Sequence, residues 1–372
     1  MIRKSGIFRA IFAVLILIFF NLIFGCAIGI SKNYDFKHSE NFDNENKNEN
    51  IAKNKLQTIS IASWNVQTFF DAVNDGCEYS DFKNSSKWTK EMYIRRLEKL
   101  CEVMKLLNCD IIVLEEIENE AVVLDISNRL TEASWSKKKG WRYACFTKEP
   151  KSAIGCAVFS RLEISSLTAH SMDIQIHKQK QPASRPLMQL TLKAGEKEVL
   201  LFVNHWKSKS GGQEKTEIWR DWQEAILAQC IAKAVEVNNA CPVIICGDFN
   251  RSAEDFISLN QDFSASLCES FDFFNKYKAN LILRRFCENP VCVYSAWFCD
   301  DGSFATKIGS YYYQNSWERI DNFFFAGNVT VNQFEVVSEP PLAGQNLIPQ
   351  GYKVFTDSGC SDHLPIKCIV SF

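Results

Sequence analysis

The chain has 372 residues, 46% of them hydrophobic and 23% charged, with a formal net charge of −2. That balance excludes wholesale disorder and fibrous repeats, and it excludes holding nucleic acid by bulk positive charge. The charge is uneven: residues 1–30 carry three basic residues and no acid, residues 31–57 carry five Lys against five acids, which leaves −5 for residues 58–372.

In chain order the first feature is an uncharged run over residues 10–30, preceded by Arg3, Lys4 and Arg9. Basic residues followed by an apolar run is the order of an export signal. Residues 1–26 are therefore expected to be a signal peptide or membrane anchor. Gly25-Cys26 resembles a relaxed lipoprotein box in which Cys26 is lipidated. An uncleaved anchor stays open, because the run reaches the ~20 residues of a membrane span; so does a plain cleaved signal. All three place the body outside the cytoplasm. Residues 27–57, rich in Asn, Lys, Glu and Asp, read as a disordered, solvated stalk.

Residues 58–372 read as one domain, without internal repeat or linker. Apolar and β-branched runs predict strands at 59–66, 111–114, 154–159, 187–192, 199–203, 243–246, 320–325 and 366–370. A helix is expected over 89–107, capped by Thr89, with Ile94, Leu97, Cys101 and Met104 on one face. A second is expected over 214–237, with Ile218, Trp222, Ala225 and Gln229 at helical spacing. This mixture predicts an α/β fold. Of the 15 Cys, Cys156, Cys246 and Cys368 lie in apolar runs and behave as small hydrophobes. No Cys pair or Cys/His cluster has zinc spacing. Disulfides stay open among Cys268, Cys287, Cys292 and Cys299.

Polar residues at the ends of these strands are costly to bury and so carry the functional signal. They are Asn65, the pair Glu115-Glu116, His205, Asp248 with Asn250, Asp321, and Asp362-His363. Two residues apart on extended chain, Asp248 and Asn250 share one side. Lys207 and Lys209 follow His205 in a glycine-ended loop suited to phosphate contact. Together these are the residue types that bind a hard cation or move protons.

In this order the motifs Ser63-Trp64-Asn65-Val66, Leu114-Glu115-Glu116-Ile117-Glu118-Asn119, Asn204-His205-Trp206-Lys207-Ser208-Lys209, Gly247-Asp248-Phe249-Asn250, Trp317-Glu318-Arg319-Ile320-Asp321 and Ser361-Asp362-His363-Leu364-Pro365 resemble the endonuclease/exonuclease/phosphatase superfamily. The resemblance spans residues 58–372. It implies a four-layer sandwich of two packed mixed β-sheets flanked by helices. It also implies Mg2+ held by Asn65 and Glu116 and supported by Asp362, with Mn2+ or Ca2+ as alternatives. Asp248 would orient or deprotonate the attacking water, Asn250 would help hold the phosphate, and His205 and His363 would donate to it. Asp321 would orient His363. Arg185 resembles a family Arg at the start of a strand, either a salt-bridging structural residue or a phosphate contact beside Lys207 and Lys209.

Two departures stand out. Glu115 replaces a common Gln, and the loop Asp75-Gly76-Cys77-Glu78-Tyr79 with Trp88 is not general to the superfamily. His38, His170 and His177 fall outside every motif and are expected to be structural or on the surface. The leading expectation is a monomeric, exported, membrane-tethered nuclease acting on DNA or RNA; Lys137, Lys138 and Lys139 read as a solvated face or as a further backbone contact. The alternatives are a sphingomyelinase-like or inositol polyphosphate phosphatase-like hydrolase, with Trp297-Phe298 either core residues or inserting into lipid, and a catalytically silent surface-binding lipoprotein.

Overall fold

The structure is a computed structural model that describes residues 30–35, 56–83, 87–131, 140–150, 152–174, 180–238, 240–258, 293–299 and 301–372. The predicted lipidation site Cys26, His38, His177, Lys137, Lys138, Lys139, Cys268, Cys287 and Cys292 lie outside the described residues.

Two sheets form the centre. The first has the order β1 (Ile30–Asp35), β4 (Tyr143–Lys148), β5 (Gly155–Ser160), β3 (Ile111–Ile117), β2 (Thr58–Phe69), β15 (Ile366–Ser371), β14 (Thr330–Val336). The second runs β10 (Tyr294–Ser295), β13 (Asp321–Ala326), β9 (Val243–Asp248), β8 (Lys197–His205), β7 (Leu187–Ala194), β6 (Glu163–His170). Strands β2 and β3 pair parallel, as do β8 and β9, while the other pairs are antiparallel, so both sheets are mixed. A separate hairpin joins β11 (Tyr311–Tyr313) and β12 (Ser316–Glu318).

Alternation along the strands sends successive side chains to opposite layers. Ile61, Val113, Leu190, Leu201, Ile244 and Phe323 meet between the sheets. On the outer face of the first sheet, Ile112, Leu114 and Phe159 pack against Leu97 and Met104 of α1 (Lys90–Leu107) and Ile126 of α2 (Glu120–Thr131). On the outer face of the second, Phe202, Ile245 and Phe324 meet Leu227 and Ile231 of α3 (Gln213–Val237). Helix, sheet, sheet, helix is the expected four-layer sandwich. Thr89 caps α1 as predicted, accepting from the Met92 amide at 3.3 Å.

One expectation needs correction, and the structure adds detail to two others. Within the segment expected to be a stalk, residues 30–35 form β1, antiparallel to β4. An edge strand needs only backbone pairing, so its polar sequence gave no apolar signal. On α3 the buried face includes Gln223, Leu227 and Ile231; Ile218, Trp222 and Gln229 are only half-buried. Trp297 is fully buried, packs edge-on against Phe334 and donates its indole N–H to the Asp321 carbonyl at 2.9 Å. It is therefore not free to enter lipid. The described cysteines, Cys299 included, are free thiols.

Candidate active site

The antiparallel turn of β13 against β9 and the parallel run of β8 beside β9 place His205, Asp248 and Asp321 opposite one another in a single row. Asn65 lies on β2, and the same edge of the first sheet carries Glu116. There the register with both neighbours of β3 is broken, and Glu116 has a φ of 68°. The bulge turns its side chain away from the alternation that buries Glu115. Gln67, Thr68 and Asn250 also have positive φ, so strained backbone is concentrated at this edge.

The side chains converge. Asn65 Nδ2 donates to Asp248 Oδ2 at 3.0 Å and to Glu116 Oε1 at 3.2 Å. The Thr68 amide donates to Glu116 Oε2 at 2.5 Å. His205 Nε2 lies 3.6 Å from Glu116 Oε1 and 3.7 Å from Asp248 Oδ2. The Asn250 amide donates to Asp248 Oδ1 at 2.8 Å, and its Nδ2 donates to Asp248 Oδ2 at 3.1 Å and to the Trp206 carbonyl at 3.2 Å. His363 Nδ1 and Asp321 Oδ2 are 2.8 Å apart. One oxygen each from Asp248 and Asp321 and one His363 nitrogen lie within 4.8 Å of one another.

Burial and mutual charge set the ionisation. Burial, then the Asp321 charge, push Asp248 up to about 7. Burial pulls His363 down, but the Asp321 charge and hydrogen bond outweigh it and hold the imidazole well above its ordinary range. His205 goes the other way. Burial, then Arg185 and His363, hold it well below, so it is neutral despite two carboxylates within 4 Å. Glu116 is raised by burial and then by Asp362, whose half-buried carboxylate is thus felt at the site.

The predicted phosphate contacts divide. Arg185 is buried and donates to the Trp206 carbonyl, and among the described residues it has no carboxylate partner. Lys207 is half-buried and bonds to Ser208. Lys209 is ion-paired to Glu318 at 2.7 Å, so its charge is already committed. His170 bonds to Gln189 at 2.8 Å, away from the site, as expected. Glu115 is fully buried, accepts from Ser63 at 2.7 Å, and is pushed well up by burial and then Asp321.

Some residues at this edge escaped the sequence reading. Ser361 Oγ donates to the Asn65 carbonyl at 2.6 Å and accepts from the His363 amide at 3.1 Å. Tyr311 packs its ring 4.8 Å from that of His363. Gln67 Oε1 accepts from the Tyr352 and Asp362 amides. The Ser-Asp-His motif contained Ser361, but nothing local pointed to Tyr311 or Gln67.

The donor set fits a hard cation. Glu116, Asp362 and Asn65 offer oxygen donors, and no Lys or Arg pairs with either carboxylate among the described residues. Oxygen ligands of this kind suit Mg2+, Mn2+ or Ca2+.

An α/β sandwich with carboxylates, amides and two imidazoles gathered at one edge of its sheets is the architecture of hydrolases acting on phosphoester bonds. Residues 60–369 match the model of the Endonuclease/Exonuclease/phosphatase family, and the chain belongs to that family. Among solved structures, the chain is similar to truncated Caenorhabditis elegans TDP2, with a TM-score of 0.51, 17% identity and coverage of 85% of this chain and 97% of that one. It is also similar to ANGEL2, a 2′,3′-cyclic phosphatase, with a TM-score of 0.55, 15% identity and coverage of 85% and 96%. A Bacteroides thetaiotaomicron mannosyl-6-phosphatase matches with a TM-score of 0.50, 15% identity and coverage of 84% and 100%. At these identities the likeness carries the fold alone. No curated protein matches the sequence.

Proposed function

We propose that the chain is an exported, Mg2+-dependent phosphodiesterase, a nuclease that hydrolyses DNA or RNA by in-line attack of water. The observation that carries this reading is the pair of imidazoles in opposite states around one buried carboxylate. His363 is held protonated by Asp321, His205 is held neutral, and Asp248 lies in the same row.

Asp248 takes the proton of the attacking water, and its raised pKa matches that task near neutral pH. Asn65 and Asn250 fix its two oxygens. Because Asn250 Nδ2 is engaged with Asp248 and the Trp206 carbonyl, this residue orients the base rather than gripping phosphate. His363 and His205 each donate an Nε2 proton to charge developing on the phosphate oxygens. Glu116 and Asn65, with Asp362 adding charge, would hold the cation, which supplies Lewis-acid neutralisation when bound. Among the described residues at this edge, Arg185 and Lys207 are the cations left to meet the nucleic-acid backbone. Export and tethering rest on the basic-then-apolar order of residues 1–30.

The test is a panel of plasmid DNA, RNA, sphingomyelin and a phosphoinositide, each with and without Mg2+, using the wild-type chain and His363→Ala. Nucleic acid should be cut in Mg2+ only, and the substitution should slow it by about 100-fold or more. Intact nucleic acid alongside a cleaved lipid transfers the site to lipid hydrolysis. Wild type and His363→Ala equally inert on all four leave a binding protein.

A further inference from the structure

A second group of carboxylates lies outside this edge. The loop of residues 71–83 leaves β2, and within it Asp75 and Glu78 turn back toward Glu118, just past the end of β3. One oxygen from each of Asp75, Glu78 and Glu118 lies within 4.8 Å of the others. Asp75 is exposed, while Glu78 and Glu118 are buried. Among the described residues no Lys or Arg pairs with any of the three. Lys83 is turned to the Gly76 carbonyl instead, at 3.1 Å.

The independent sign of a missing partner is on Glu118. It is 0% exposed, and its Oε2 accepts from the Asp71 amide at 2.6 Å. Its Oε1 is buried with no hydrogen-bond partner. A buried carboxylate oxygen left bare beside two further carboxylates is satisfied by a cation or by a proton, and burial with the neighbouring acids pushes Glu118 up to about 8 when no cation is bound. We infer that Asp75, Glu78 and Glu118 form a binding site for a hard divalent cation of the Ca2+ type, which ties the 71–83 loop to the end of β3. All three donors are oxygens. The loop is short and irregular, which suits the tolerant geometry of Ca2+ better than the strict octahedron of Mg2+.

The position gives the ion a consequence. Glu118 is two residues beyond Glu116, and its amide donates to the Phe69 carbonyl at 3.1 Å, next to the Thr68 amide that holds Glu116. From the same loop, the Tyr79 ring packs edge-on against Phe70, and its hydroxyl is raised by burial and then by the Glu116 charge. The ion would fasten the segment that lines the catalytic edge without belonging to it.

Calorimetric titration of the full chain with CaCl2 tests this, in a Glu116→Gln background that removes the main ligand of the other site. The Glu116→Gln chain should bind about one Ca2+ and gain thermal stability from it. Adding Glu78→Gln or Asp75→Asn should weaken binding by about tenfold or more and abolish that gain. No binding in Glu116→Gln, or binding unchanged by both loop substitutions, overturns the inference. If Glu78→Gln fails to fold by circular dichroism, the exposed Asp75→Asn decides alone. Since the readout is cation binding, its failure leaves the nuclease reading to the substrate panel.

Discussion

Asp248 bears the electrostatic strain of the catalytic edge. It is buried and faces Asp321, and these raise it from 3.8 to about 7. Between those values the folded chain keeps a proton that the unfolded chain releases, so this group's contribution to stability falls as pH rises through that window. Asp248→Asn removes the penalty but gives up one acceptor. In EDTA, its melting temperature relative to wild type should rise by a few degrees between about pH 4.5 and about pH 8. A flat difference across that range means the carboxylate is not strained. At this scale the sequence was informative about residue types, and about partners only through the family resemblance. A strand ending in Asp, and an Asp-His before the last strand, could be read locally. The pairing of His363 with Asp321, 42 positions away, is implied by the family resemblance and by no local pattern, because it depends on how β13 and β15 enter the sheets. The ion pair of Lys209 with Glu318, 109 positions away, is invisible until the chain folds.

Most elements buried on both faces were legible, although β4, whose four middle residues are buried, is absent from the expected strands. Strands β3 and β9 are almost wholly buried, so each reads as an unbroken apolar run. The edges were not legible. Strand β6 is largely exposed or half-buried, and so is β14, and neither shows a clean alternation to read. Helix α2 is a different case. Val122, Ile126 and Leu130 recur every four residues and are buried, so this helix does carry an amphipathic signal in its sequence. What joins β8 to β9 is a close backbone approach. Gly247 has a φ of 130°, and a Cβ there would lie 1.9 Å from the Asn204 carbonyl oxygen. Gly247→Ala must therefore push β9 away from β8 and disturb the His205–Asp248 row. It should cost about 3 kcal/mol or more in urea unfolding. A cost below about 1 kcal/mol would show that the parallel pair tolerates the extra atom.

For the whole molecule, the charge of −5 on residues 58–372 has to be reconciled with a polyanionic substrate. Of the three cations expected at the catalytic edge, Lys209 is neutralised by Glu318, which leaves Arg185 and Lys207 among the described residues there. A protein that neutralises Z phosphates releases counterions, and its binding constant falls with salt in proportion to Z, with a slope of about −0.7 to −0.9 for each contact. Two contacts predict a shallow slope, about −1.4 to −1.8. The measurement is fluorescence anisotropy of a labelled single strand with His363→Ala, at fixed Mg2+ and varied KCl. Arg185→Gln should flatten the slope by about one and weaken binding alike for every sequence tested. Removing Mg2+ with EDTA should weaken binding further, because the carboxylates at the edge then face the phosphate uncompensated. A slope steeper than about −4 would mean that a basic surface elsewhere on the chain carries the contact. Affinity would then come from that surface and not from the edge, and the substrate would be placed by charge rather than by the cation and the two imidazoles.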